Sequence, residues 1–226
     1  MADAYVVFGY SEGGYGAVPI ADALYRMNKT IIALHAGGGP YRLSSVELKF
    51  AVEDIMGGSV ESLLHMALLG ASLSSTTTDV ANFGQGQDFF RDDTIRDAIV
   101  HASQTIDLHE GKRDAINSII TWDNPLSFYN PDLVDVYAGG IARGEPEPCV
   151  TSVTEKTDKL CQALRDQDVI DILELASYPV FLCHSVEDQL VPFANLPDPD
   201  VNRNVRIRKV KGRHAPAGIP CVIQFL

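Results

Sequence analysis

Gly9-Tyr10-Ser11-Glu12-Gly13 has the spacing G-x-S-x-G, and Gly14 extends it. A serine hydroxyl is a weak nucleophile unless a sharp strand-to-helix turn exposes it within reach of a base. Glycines two residues before and two after the serine let the backbone close that tightly without Cβ clashes. The helix that follows aims its first N–H groups at the place where negative charge develops. Further along, His184-Ser185-Val186-Glu187-Asp188-Gln189-Leu190-Val191-Pro192 offers a carboxylate, and Gly212-Arg213-His214 offers a histidine. A carboxylate that reaches a histidine holds its tautomer, and the histidine can then take the serine proton. Ser11 is therefore the candidate nucleophile, His214 the candidate base and Asp188 the candidate acid, with Glu187 as the alternative acid. The Glu12 N–H is the candidate oxyanion donor, and Gly9, Gly13 and Gly14 are the candidate elbow glycines. Together these groups could carry out acyl transfer.

Such groups need a scaffold. Ala4 to Phe8 is a short apolar run and reads as a buried parallel strand. Ala17 to Met27 has helical spacing, with Ile20, Ala23, Leu24 and Met27 on one face. Thr30 to Leu34 reads as a second buried strand, running into His35-Ala36-Gly37-Gly38-Gly39-Pro40. This is a β-α-β unit suited to a right-handed crossover. Helical patterns then dominate: Ser45 to Met56, Ser59 to Leu69, Asp93 to Thr105, Lys112 to Ile120, and Val153 to Leu175 with breaks. Loops rich in Ser, Thr, Gly, Asn and Pro separate them. Pro179 to Cys183 and Val205 to Val210 read as further strands. The spacing predicts a discontinuous α/β core over 1–44 and 177–226, with 45–176 inserted as a helical cap or lid.

On these residues the chain resembles the α/β-hydrolase superfamily, and most of all its secretory-lipase-like and prolyl-oligopeptidase-like esterase branch. Gly9 to Tyr15 resembles that branch's elbow. Ala36-Gly37-Gly38-Gly39-Pro40-Tyr41-Arg42-Leu43 resembles its Gly-Pro-Tyr-x-Leu stretch. His184 to Pro192 resembles its acid loop, although Ser185 stands where glycine is usual. The order Ser, Asp, His is also that of the superfamily. The resemblance covers residues 4–44 and 177–216. It implies a mainly parallel sheet flanked by helices, and a serine hydrolase acting on a small-molecule carboxylic ester without metal or cofactor. It also implies strands before the elbow strand, and an oxyanion donor from one of their loops. Here the elbow strand is the first element, so the N-terminal strands are expected to be missing. Tyr5 to Phe8 would then be an apolar edge open to self-association. Two other readings stand beside the esterase: a serine peptidase of the prolyl-oligopeptidase type, and a catalytically silent binding protein on the same fold.

Charge and composition narrow the partners. Lys and Arg total 18 against 30 Asp and Glu, a net charge of -12, so nucleic acid and anionic membrane surfaces are poor partners. No apolar stretch approaches the ~18 residues of a membrane span, and no basic segment followed by an apolar one opens the chain. The compartment stays open. A dinucleotide loop would need glycine at Ser11. Asp107-Leu108-His109-Glu110, with His101 nearby, lacks metal-ligand spacing and reads as a solvated helix end. Asp198-Pro199-Asp200 begins like a calcium loop but has Arg203 and Lys209 where glycine and glutamate are needed. His35 and His184 read as strand-end histidines, with pocket lining as the alternative. Cys183 reads as a small buried hydrophobe, whereas a Cys149–Cys161 pair is left open. Asn28-Lys29-Thr30 is a glycosylation sequon that matters only in an exported chain.

Overall fold

The computed structural model describes residues 3–57, 59, 62, 66, 90–105, 125–144, 149 and 155–225. The apolar runs form four strands: β1 (Ala4–Tyr10), β2 (Thr30–Gly37), β3 (Val180–Ser185) and β4 (Val205–Val210). All neighbours run parallel, in the order β1-β2-β3-β4. Gly9 pairs with Ala36, Ala36 with Leu182, and Leu182 with Ile207. Parallel neighbours need crossover connections, and α1 (Glu12–Arg26) is the one between β1 and β2. Its Ala17, Val18 and Ala21 pack on Leu34, Ala36, Val180 and Leu182 to make the core. Complete burial of a side chain such as Leu34 contributes about 1.5–3 kcal/mol relative to exposure.

The chain divides into two compact units, Met1–Glu47 with Gln167–Leu226, and Leu48–Asp166. The sheet unit also holds a π-helical turn (Leu43–Glu47). The described helices of the other unit are α2 (Leu48–Met56), α3 (Asp93–Thr105), α4 (Pro131–Ala142) and α5 (Glu155–Asp166). The sheet unit then adds α6 (Ile170–Leu175) and α7 (His214–Phe225). The patterns over Ser59–Leu69 and Lys112–Ile120 lie wholly or mostly outside the described residues, as does Asp107–Glu110. Among the described residues no helix is long and apolar enough to cross a membrane.

Two expectations are corrected here. The first strand is parallel but not buried: among the described residues it pairs on one side only, at the sheet edge where the apolar-edge reading put it. Tyr5 and Val7 pack against the core, whereas Val6 is 53% and Phe8 66% exposed, as is Ile32 on β2 at 55%. Cys183 is not a free hydrophobe either. It is disulfide-bonded to Cys221 of α7, and Cys149 to Cys161, with Cα–Cα distances of 5.5 and 5.3 Å. The first of these bonds depends on α7 packing against β3, which no sequence spacing announces.

Candidate functional site

Ser11 sits between β1 and α1 with φ 59°. For a residue with a Cβ this left-handed conformation costs about 1–3 kcal/mol and needs support from its surroundings. The Ser11 N–H donates to Gly37 O (2.8 Å), and the Tyr15 N–H donates to Ser11 O (3.0 Å). A Cβ on Gly9 would lie 2.0 Å from Gly13 O, and one on Gly14 would lie 2.3 Å from Gly37 O. These two glycines let strand, turn and helix close on each other. Gly13 has open space around it, so no contact requires its small size. Glu12 opens α1, and the first amides of a helix have no partner within it.

Three segments meet at this turn. Ser11 Oγ is 2.7 Å from His214 Nε2, and His214 Nδ1 is 2.7 Å from Asp188 Oδ2. A carboxylate only accepts, so Nδ1 carries the imidazole proton and Nε2 faces the serine O–H as an acceptor. The Asp188 side chain is fully buried. Burial works against its charge, yet the His214 hydrogen bond and the Val191 and Leu190 N–H donors outweigh it and hold the carboxyl below the usual range. Both N–H groups reach Oδ1 at 3.0 Å.

The alternative acid Glu187 is engaged elsewhere, accepting the Gly212 N–H at 2.9 Å. Neighbouring side chains grip the same segment. Gln189 Oε1 accepts the His214 N–H at 2.9 Å. The Ser185 hydroxyl donates to Gly212 O and accepts the Glu187 N–H at 3.0 Å, which gives the unusual serine a role. Tyr10 donates to His214 O at 2.6 Å, with its ring 5.5 Å from the imidazole. Sequence reasoning missed Tyr10, Ser185 and Gln189; only the departure from glycine at 185 could have pointed to one of them. His35 stacks on Phe181 at 4.9 Å, and burial lowers its pKa. His184 is buried beside Asp188, and burial likewise lowers its pKa, partly offset by its bond to the Val191 carbonyl.

A second polar group lies deeper. Asn195, itself buried, donates to Glu47 Oε2 at 2.8 Å and accepts the Arg42 N–H at 3.0 Å. Burial pushes the Glu47 carboxyl up to about 8; the Asn195 bond opposes this and the Asp188 charge adds to it. A raised carboxyl pKa gives stability that is complete below the unfolded value and lost as pH rises through the folded one. From pH ~4.5 to 7 this group alone should cost about 3 kcal/mol of stability. Glu47→Gln should therefore flatten the fall in melting temperature between pH 5 and 8, as measured by thermal scans. Parallel curves for the two proteins would contradict the assignment. His35 and His184 act in the opposite sense, losing stability as pH falls below about 6.5, so the difference between variant and parent isolates Glu47.

A parallel sheet whose first βα turn holds a strained serine, with acid and histidine after later strands, is the α/β-hydrolase fold. Solved structures share it. A Legionella pneumophila protein described as a candidate hydrolase superposes with TM-score 0.67 at 17% identity, over 99% of this chain and 55% of that one. The rice-cell-wall-degrading esterase of Xanthomonas oryzae gives 0.53 at 16% identity, over 97% and 54%. Candida antarctica lipase A gives 0.56 at 14% identity, over 94% and 44%. The chain thus spans about half the length of these structures. No sequence-family model matches it, and no curated protein matches it.

Proposed function

We propose that this chain is a serine hydrolase acting on carboxylic esters. The observation that carries the reading is the continuous hydrogen-bonded run from Ser11 through His214 to Asp188 on a strained turn. His214 Nε2 takes the Ser11 proton as Oγ attacks the ester carbonyl. Asp188 keeps the imidazole in the required tautomer and stabilises its charged form. The Glu12 N–H faces the oxyanion of the tetrahedral intermediate. His214 then returns the proton to the departing alkoxide, and water, activated by the same base, releases the acyl group from Ser11. An ester is favoured over a peptide because two of the proteins with this fold are an esterase and a lipase. The inserted helical unit is read as the cap of such an enzyme.

Hydrolysis of p-nitrophenyl butyrate and of a chromogenic prolyl peptide, each compared with Ser11→Ala, tests this reading. Ester turnover that disappears in Ser11→Ala is the expected result. Cleavage of the peptide with an inert ester would favour the peptidase. Neither reaction from a folded protein would favour the silent binding protein.

A further inference from the structure

Acyl transfer leaves one buried polar side chain beside the acid unused. His184, one residue before the end of β3, has no exposed side-chain area, its Nε2 2.9 Å from the Val191 carbonyl oxygen and 3.8 Å from Asp188 Oδ2. A carbonyl oxygen only accepts, so Nε2 holds the ring proton and Nδ1 is bare. Among the described residues Nδ1 has no hydrogen-bond partner. The ring meets Phe193 edge-on at 5.9 Å. Leaving a buried acceptor unpaired is unfavourable, so an apolar side chain of similar size would fill this space at less cost. It could not hold Val191. That residue is engaged through both backbone groups: its carbonyl accepts from His184, and its N–H donates to Asp188 Oδ1 beside that of Leu190. The charges that act on His184 are those of Asp188 and, beyond it, His214, while Lys209 is its register partner on β4 and lies over the same Phe193 ring.

We propose that His184 is a positioning residue, which through Val191 fixes the loop that aims Asp188 Oδ2 at His214. It acts on geometry and exchanges no proton in the reaction. The proposal rests on the reading of Ser11, His214 and Asp188 as the reacting groups. A histidine buried for packing alone would behave differently in two measurements on the full chain. One is the kcat and KM of ester hydrolysis. The other is the low-field NMR resonance of the His214 Nδ1–H, which reports the Asp188 contact whether or not the protein turns over.

His184→Leu should lower kcat about 10²-fold, the usual effect of misplacing a reacting group by about 1 Å, with KM within about 3-fold. It should also broaden or abolish the low-field signal in a protein that still melts cooperatively. His184→Gln, whose amide nitrogen can occupy the place of Nε2, should restore the signal and most of kcat. Should the leucine variant not fold, His184→Asn makes the same comparison, since its shorter amide does not reach Val191. An unchanged signal and kcat in the leucine or asparagine variant would overturn the proposal. So would a glutamine variant as impaired as leucine, since side-chain volume would then be the cause. A parent protein with the low-field signal but no reaction at Ser11 would instead sink the functional reading, and the signal in the variants would then decide the role of His184.

Discussion

Asp188→Asn is expected to lower kcat for ester hydrolysis by about 10⁴-fold, the scale seen when the acid of such a triad becomes an amide. The reason lies in the hydrogen bonds of this loop. Oδ1 accepts the Leu190 and Val191 N–H groups, so in the variant the amide oxygen is held there and the NH₂ takes the place of Oδ2. It would then meet the His214 Nδ1–H donor to donor at 2.7 Å. The imidazole escapes by moving its proton to Nε2, where it can no longer accept from Ser11. Substrate binding is untouched, so KM should stay within about 3-fold. Glu187→Gln keeps an oxygen for the Gly212 N–H and should stay within about 3-fold of the parent in kcat. A loss below about 10-fold in Asp188→Asn, or a comparable loss in Glu187→Gln, would remove Asp188 from the role assigned to it.

The second large effect concerns Cys183 and Cys221. Their bond joins the strand that leads to Asp188 with the helix that begins at His214, across a sequence separation of 38. Cross-linking a loop of that size removes unfolded-state entropy worth about 4 kcal/mol in the chain-entropy picture. The double variant Cys183→Ala/Cys221→Ala should therefore melt roughly 10 °C lower than the parent by calorimetry or circular dichroism. Gly212, the acid loop and Tyr10 still hold the start of α7, so the variant should keep its contacts at His214 below its melting point. An unchanged melting temperature would mean that packing of α7 on β3 carries the helix without the bond.

The elbow was legible because its requirements are local. A strand, a strained serine, close-fitting small residues and a helix start all lie within a dozen positions, and each demands a residue type. The acid loop and His214 were legible as a pattern at the ends of later strands. What surrounds them was not. Tyr10 reaches a carbonyl 204 positions away, and Asn195 reaches Glu47 across 148. Such contacts follow from how the elements pack, so periodicity cannot announce them. The same holds for the partner of Cys183. The first strand was read both as a buried run and as an apolar edge, and only the second reading fits: an apolar run says that a strand forms but not how many neighbours it has, and among the described residues β1 pairs with β2 alone. Gly13 fits the motif, yet the tight contacts fall on Gly9 and Gly14.

The central claim is that His214 activates Ser11, and covalent capture tests it most directly. A small fluorophosphonate probe requires a nucleophile deprotonated as it attacks, and it needs neither a matched acyl pocket nor turnover. The full chain is incubated with the probe, and the modified residue is identified by peptide mass spectrometry. The account predicts a single phosphonyl adduct on Ser11, absent in Ser11→Ala and strongly slowed in His214→Ala. A folded protein that takes no adduct, or takes it on another residue, would contradict it.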